Sequence, residues 1–361
     1  MRKKNDYKIN IMMRGGRRCG KTTGLASMQQ CFDKKFGSSN LTITIPDSGT
    51  LIDFENKMKE IDDYYHFDRA DIFSPDYEPS KELKTYQMGL SLKSKSNGEI
   101  NMNFTDFPGG WISMKENAKS LEKSMADSHV IIIAIDTPHL MEHTKSDDPD
   151  TVGMFNEASN RSHLVSNLIK RHLSLDNSTK MILFVPLKCE RYRRNGTMST
   201  VIRKIKTAYR PLIDHINNEH NREKCVMAIT PIYTFGTVEF KRFMRSDAGK
   251  ILVSPETRLP RYPLYGFTDD AGNMPEPLYC DMPLIYTLMY VLTIAKETKE
   301  KAHKRAPWFI KGMRRLGEGF LKFPSADDFL MEINGLYSEL SKVMNNNSEG
   351  FELITNPLQW K

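Results

Sequence analysis

The sequence predicts a three-layer α/β fold, a mostly parallel central sheet with helices on both faces. Three observations predict it. The runs 129–136 (HVIIIAID), 181–187 (MILFVPL) and 225–230 (CVMAIT) are apolar throughout, as strands covered on both faces are. Stretches of helical period near 153–175, 198–221 and 281–303 alternate with them. Two alternating runs, 86–93 and 99–106, flank a segment that contains Asn97-Gly98, a hairpin signal that puts one antiparallel strand at a sheet edge.

The remaining elements follow in order. Residues 7–14 (YKINIMMR) form a short strand pattern broken by Gly15 and Gly16. From Lys21 to Phe36 the pattern is helical, with Leu25, Met28 and Phe32 at spacings of three and four. Gly37 ends that helix. Residues 41–45 (LTITI) make a strand, and Asp47 or Ser48 caps a helix to about Tyr65. Residues 66–82 form a loop that holds Pro75 and Pro79. We read 1–303 as one domain with an insertion at 236–280, rich in Pro, Gly and Tyr, and 304–361 as a helical C-terminal extension. Within that extension, 308–323 is an aromatic and basic stripe that packs on the domain. Residues 325–343 form a docking helix with Phe329, Ile333, Leu336 and Leu340 on one face.

Composition sets outer bounds. The 361 residues, 39% hydrophobic and 27% charged, suit a folded chain of one domain with insertions. The net charge of +7 fits a phosphate-bearing ligand, nucleic acid or an anionic surface and selects none of them. Five cysteines, an odd number without CxxC spacing, argue against a disulfide framework or zinc site and for a reducing compartment, and with no export or insertion signal read in the sequence a cytoplasmic setting is expected. The longest apolar stretch, 283–295, is shorter than the roughly 20 residues of a membrane span. Basic Arg191, Arg193 and Arg194 beside Tyr192 read as a solvated loop, which leaves nucleic-acid binding unproven.

The chemistry lies in residues 15–22. Gly15-Gly16-Arg17-Arg18-Cys19-Gly20-Lys21-Thr22 matches G-x-x-x-x-G-K-[ST] between a predicted strand and a predicted helix. Glycines let the backbone wrap a phosphate, and successive N–H groups with the helix N-terminus face the anion. Lys21 reaches the outer phosphates, the Thr22 hydroxyl binds Mg²⁺, and Thr23 follows on the same turn. Further on, Asp106-Phe107-Pro108-Gly109 has the form DxxG. Its carboxylate is expected to hold the Mg²⁺ through water, and the Gly109 N–H to meet a terminal phosphate.

This order of motifs resembles the Ras-like and translation-factor (TRAFAC) class of P-loop GTPases. The carrying residues are GGRRCGKT, the hairpin ending in DFPG, and 126–136 (ADSHVIIIAID). The resemblance covers roughly 7–235 and part of 281–303. More narrowly, the long insertion and PLYCDMPLIYTLMYVL are similar to predicted GTPases of bacterial conflict systems. The resemblance implies a Ras-like P-loop NTPase fold that binds GTP or GDP with Mg²⁺, hydrolyses GTP slowly, and switches conformation for a protein effector or activator. It leaves a homo-oligomer open. It implies a guanine-reading motif at Leu187-Lys188-Cys189-Glu190, with Lys188 over the base and Glu190 accepting the guanine N–H groups. It also implies a switch threonine that completes the Mg²⁺ shell; Thr85 is the candidate, with Thr42, Thr44 and Thr50 as competitors.

The departures matter as much. Leu187 stands where the motif has Asn, so ATP remains an alternative to GTP, and an ATPase or a small-molecule kinase an alternative function. Gly110 stands where many members carry a water-orienting Gln, and Trp111 after it cannot replace that group. Arg17 or Arg18 would then supply catalytic positive charge beside Lys21. A module that binds nucleotide without hydrolysing it is the third reading.

Overall fold

Alternation along the strands decides the architecture. In β5 (Val130–Asp136), Val130, Ile132 and Ala134 join one apolar cluster, while Ile131, Ile133 and Ile135 join another on the opposite face. In β6 (Lys180–Leu187), Met181, Leu183, Val185 and Leu187 face the first cluster, and Ile182 and Phe184 the second. An apolar run of this kind serves two helical layers at once. The structure, a computed structural model, describes residues 7–16, 18–66, 82–111, 115–143, 152–175, 180–218, 222–261, 263–268, 275–300, 316–323 and 325–360.

Among the described residues the sheet has eight strands. β1 (Tyr7–Gly15), β4 (Lys95–Asp106), β5, β6 and β7 (Cys225–Ile229) run parallel. β3 (Lys84–Leu92) pairs antiparallel with β4, as the hairpin predicts. Outside it lies β2 (Leu41–Thr44), antiparallel to β3, so the hairpin strand is second from the edge. At the other edge β10 (Glu352–Thr355) pairs antiparallel with β7.

One helical layer holds α1 (Lys21–Phe36), α10 (Met282–Glu300), α11 (Ala326–Met331) and α12 (Ile333–Ser341), all contributing to the first cluster. The other holds α3 (Ala118–Asp127), α6 (Ser162–Leu175), α8 (Met198–Ala208) and α9 (Arg210–Asn217). α2 (Ser48–His66) packs on α1, and α4 (Thr137–Met141), α5 (Asn156–Ser159) and α7 (Glu190–Arg194) are short turns at the strand ends.

Two expected helices are divided. The stretch 198–221 breaks into α8 and α9 at Tyr209, just before Pro211, which has no N–H to continue the first helix. The stretch 153–175 is interrupted between α5 and α6 at Asn160 and Arg161, and Arg161 has a left-handed φ of 53°. The C-terminal extension is not purely helical. It ends in β10, and its Leu336, Leu340, Phe351 and Trp360 are part of the first cluster. The insertion contains a two-stranded ribbon, β8 (Val238–Phe243) with β9 (Pro263–Phe267). Of the aromatic and basic stripe, 308–315 lies outside the described residues. Among the described residues no helix is long and apolar enough to cross a membrane.

Candidate functional site

The C-terminal ends of the parallel strands form the site. β1 ends at Gly15, and α1 begins at Lys21 after a tight loop in which Gly20 has φ 102°. A Cβ on Gly15 would lie 2.8 Å from the Ala134 carbonyl oxygen of β5. A Cβ on Gly16 would lie 2.8 Å from the Ser159 carbonyl oxygen. Glycine is required at both positions by close approach, because no side chain fits against these carbonyls. Cys19 is fully buried beneath the loop, and that burial raises its thiol. Arg18 is exposed with φ 58°, and Arg17 lies outside the described residues.

Lys21 turns back under the loop. Its Nζ donates to the Gly16 carbonyl at 3.3 Å and lies 3.5 Å from Asp106 Oδ1. Asp106 ends β4, next to β1 in the sheet. Burial raises its carboxyl, and Lys21 offsets that only in part. Among the described residues Oδ1 makes this ion pair but accepts no well-formed hydrogen bond. A buried carboxylate oxygen left in this state has capacity for a further donor or a hydrated cation. Thr22 and Tyr86 share a side-chain hydrogen bond, and burial pushes the Tyr86 phenol up to about 12. Thr23 is half-buried on the same turn of α1. Gly109 lines a small cavity with Gly15 and Gly16, so the DFPG turn does reach the phosphate loop.

Thr85 is elsewhere. It pairs with Thr105, one residue out of phase with Asp106, and is exposed. Directly paired residues share a face, so Thr85 stands on the opposite face of the sheet from Asp106. Of its competitors, Thr50 is buried at the start of α2, where it is bonded to Asp47 and accepts from the Gln87 N–H. Trp111 packs edge-on against Phe107 at 6.2 Å, turned into the core.

Beyond the loop, Lys188 and Glu190 follow β6. Lys188 has φ 56°, and its Nζ is 2.8 Å from Asp136 Oδ2. Burial works against charge on Asp136, but His139 and Lys188 hold its carboxyl well below the usual range. Leu187, in place of a bracing Asn, is buried in the first cluster beside Gly24 of α1. Apolar packing thus takes over the contact between this strand end and the phosphate-loop helix. Glu190 is 7% exposed, and burial raises its carboxyl to about 7. Its Oε1 accepts from the Phe235 N–H at 3.5 Å.

The structure therefore brings together Gly15, Gly16, Cys19, Gly20, Lys21, Thr22, Asp106 and Gly109, with Lys188 within electrostatic reach of Cys19 and Glu190 against the Phe235 amide. Sequence reasoning missed Asp136 and His139. The available signal was Asp136-Thr137-Pro138, an N-cap followed by a proline in the first turn.

A strand, a Gly-rich loop, a helix and a DxxG turn on a mostly parallel sheet define the class: an α/β phosphate-loop fold, the architecture that P-loop GTPases share. Residues 10–180, a little under half of the chain, match the family model of Double-GTPase 2. A solved structure of the S. cerevisiae Ski7 GTPase-like domain, bound to GTP, aligns at 17% identity and a TM-score of 0.32. That alignment covers 63% of this chain and 43% of the Ski7 chain, less than half of the latter. No curated protein matches the chain.

Proposed function

We propose that the protein is a Mg²⁺-dependent GTP-binding switch that hydrolyses GTP slowly to GDP and phosphate. One observation carries the reading. The buried Asp106 Oδ1, 3.5 Å from Lys21 beside a Gly-rich loop, accepts no well-formed hydrogen bond among the described residues. The match of 10–180 to a GTPase family adds support.

In this reading the loop amides and Lys21 bind the β- and γ-phosphates. Thr22 and, through water, Asp106 hold Mg²⁺. When bound, the ion neutralises charge on the phosphate oxygens. Gly109 meets the γ-phosphate, so the segment after Asp106 orders with GTP and relaxes with GDP. Lys188 and Glu190 serve the base. Arg18, and Arg17 with it, supply charge to the transition state. A protein effector or activator reads the ordered segment, and the setting we infer from the cysteines is cytoplasmic.

A second reading has its own observation. Gly110 carries no group to orient water, and Trp111 is turned inward, which favours a module that binds nucleotide without hydrolysing it.

The test is thermal unfolding with Mg²⁺ and, separately, GTP, GDP, a non-hydrolysable GTP analogue and ATP, followed by single-turnover hydrolysis. A ligand at 100 times its Kd stabilises by about 2.7 kcal/mol. Guanine-selective stabilisation with slow turnover supports the switch, and retention without turnover supports the module. Stabilisation by ATP alone moves the function to an ATPase or kinase.

A further inference from the structure

The expected base subsite is filled from within the chain. Guanine offers a carboxylate two adjacent donors, the ring N–H and the exocyclic amino group. Glu190 instead accepts from a backbone donor of this chain, the Phe235 N–H at 3.5 Å, with the Gly236 amide close enough to favour its carboxylate. The face of a base would lie against the Lys188 side chain. Here the Tyr265 ring lies beside that lysine, with its centroid 5.9 Å from Lys188 Nζ, and the two groups interact electrostatically.

These two occupants arrive on one structural unit. Phe235 and Gly236 lead into β8, and Tyr265 is in β9. The unit is fastened at three places. Tyr65 of α2 donates to the Phe235 carbonyl at 2.9 Å and lies 2.6 Å from Thr237 Oγ1. Arg191 of α7 donates to the Lys241 carbonyl at 2.8 Å. Phe243 packs against His139 and Phe155. Gly236 has φ 73°, and a Cβ there would lie 2.1 Å from the Glu276 carbonyl oxygen, so the turn that follows the Phe235 amide is closed from behind.

We propose that the β8–β9 ribbon is an intrinsic occupant of the base subsite, a mimic of the purine that must be displaced before a guanine nucleotide seats. The inference rests on the guanine-nucleotide reading above and adds a gate to it. The gate acts on the base side alone, so binding of phosphate at the loop does not depend on it. A nucleotide then binds only to the fraction of molecules with the ribbon displaced, and its apparent affinity is reduced by that fraction.

The test compares the full-length wild type with Tyr65→Phe and Tyr265→Ala. Each is titrated with a fluorescent GTP analogue and with inorganic tripolyphosphate, which needs the phosphate loop but no base subsite. Tyr65→Phe removes an anchor outside the site and keeps the ring in the core, so it covers the case in which Tyr265→Ala does not fold. We expect Tyr65→Phe to tighten the GTP analogue roughly fivefold or more, since it removes two hydrogen bonds and one alone sets about that factor, and to speed its association. Tripolyphosphate binding should not change. Unchanged or weaker GTP-analogue binding in Tyr65→Phe, with tripolyphosphate still bound, overturns the gate and makes the ribbon a fixed wall. Loss of tripolyphosphate binding in all three proteins is a different result: it removes the nucleotide reading itself, and the proposal with it.

Discussion

Lys21 and Asp106 form a buried ion pair, 3.5 Å apart, that closes the phosphate loop from beneath. Each comes from a strand end or helix start next to β1, and each is less than one-tenth exposed. Burial disfavours charge on both, so the pair holds only while both members are present.

Lys21→Met should therefore do two things. It should abolish nucleotide binding, and it should destabilise the ligand-free protein by about 3 kcal/mol near neutral pH, because a buried carboxylate is left without its cation. The Asp106 carboxyl is already raised by burial, and losing Lys21 raises it further. Its ionised form then becomes costlier, so the deficit should grow from acid pH toward neutrality and vanish where Asp106 is protonated in folded and unfolded states alike. Denaturant titrations of wild type and variant across pH 4 to 8 read this directly. A deficit independent of pH would point to lost packing instead.

Glu190 gives a second pH signature. Its carboxyl is raised to about 7, above the ordinary value of 4.5, chiefly by burial. A carboxyl raised in the folded state favours folding below its unfolded value and loses that contribution as pH rises through the folded one. Wild type should lose on the order of 3 kcal/mol of stability between about pH 4.5 and pH 7 from this group, and Glu190→Gln should not. Guanine recognition uses the ionised carboxylate, so the preference for GTP over ATP should strengthen as pH rises through 7. The variant should show no such trend in paired binding titrations.

Much of this was legible in the residues. The unbroken apolar runs gave the parallel core, and GGRRCGKT gave the loop, because each depends on local chemistry. The position of Thr85 was not legible, since a one-residue shift in register moves a side chain to the other sheet face and sequence spacing does not fix register. β10 was hidden for a related reason. Four residues, Glu352–Thr355, carry too little alternation to announce a strand, and what holds them is the open edge of β7. The filling of the base side by Tyr265 depends on contacts 77 positions from Lys188 in the chain, which no local pattern encodes.

The two loop glycines should fail differently. Gly16→Ala puts a Cβ 2.8 Å from the Ser159 carbonyl oxygen, so either the loop or the Ser159–Arg161 turn must move. Gly20→Ala meets nothing within 4 Å, but its φ of 102° is strained for any L side chain. Both should cost about 1–3 kcal/mol, the first by overpacking and the second by backbone strain. Amide hydrogen exchange separates them. Protection should fall at 159–165 in Gly16→Ala, and only around 18–24 in Gly20→Ala.

The C-terminal segment should prove integral to the domain. Trp360 is 6% exposed, packs near Tyr286 at 6.1 Å between ring centroids, and donates its indole N–H to Thr293 Oγ1 at 3.1 Å. Phe351 is fully buried against Tyr279, and Thr355 Oγ1 donates to the Cys225 carbonyl at 2.7 Å. Trp360→Ala removes a large core side chain and leaves a cavity against α10, which should cost about 3–5 kcal/mol. Ending the chain at Gly350 should cost more, because it also uncovers the β7 edge, and an exposed flat strand edge invites pairing between molecules. Equilibrium unfolding should show one cooperative transition in wild type and in Trp360→Ala, shifted to lower denaturant in the variant. A separate early transition in wild type that disappears on truncation would mean that 351–360 docks as an independent unit.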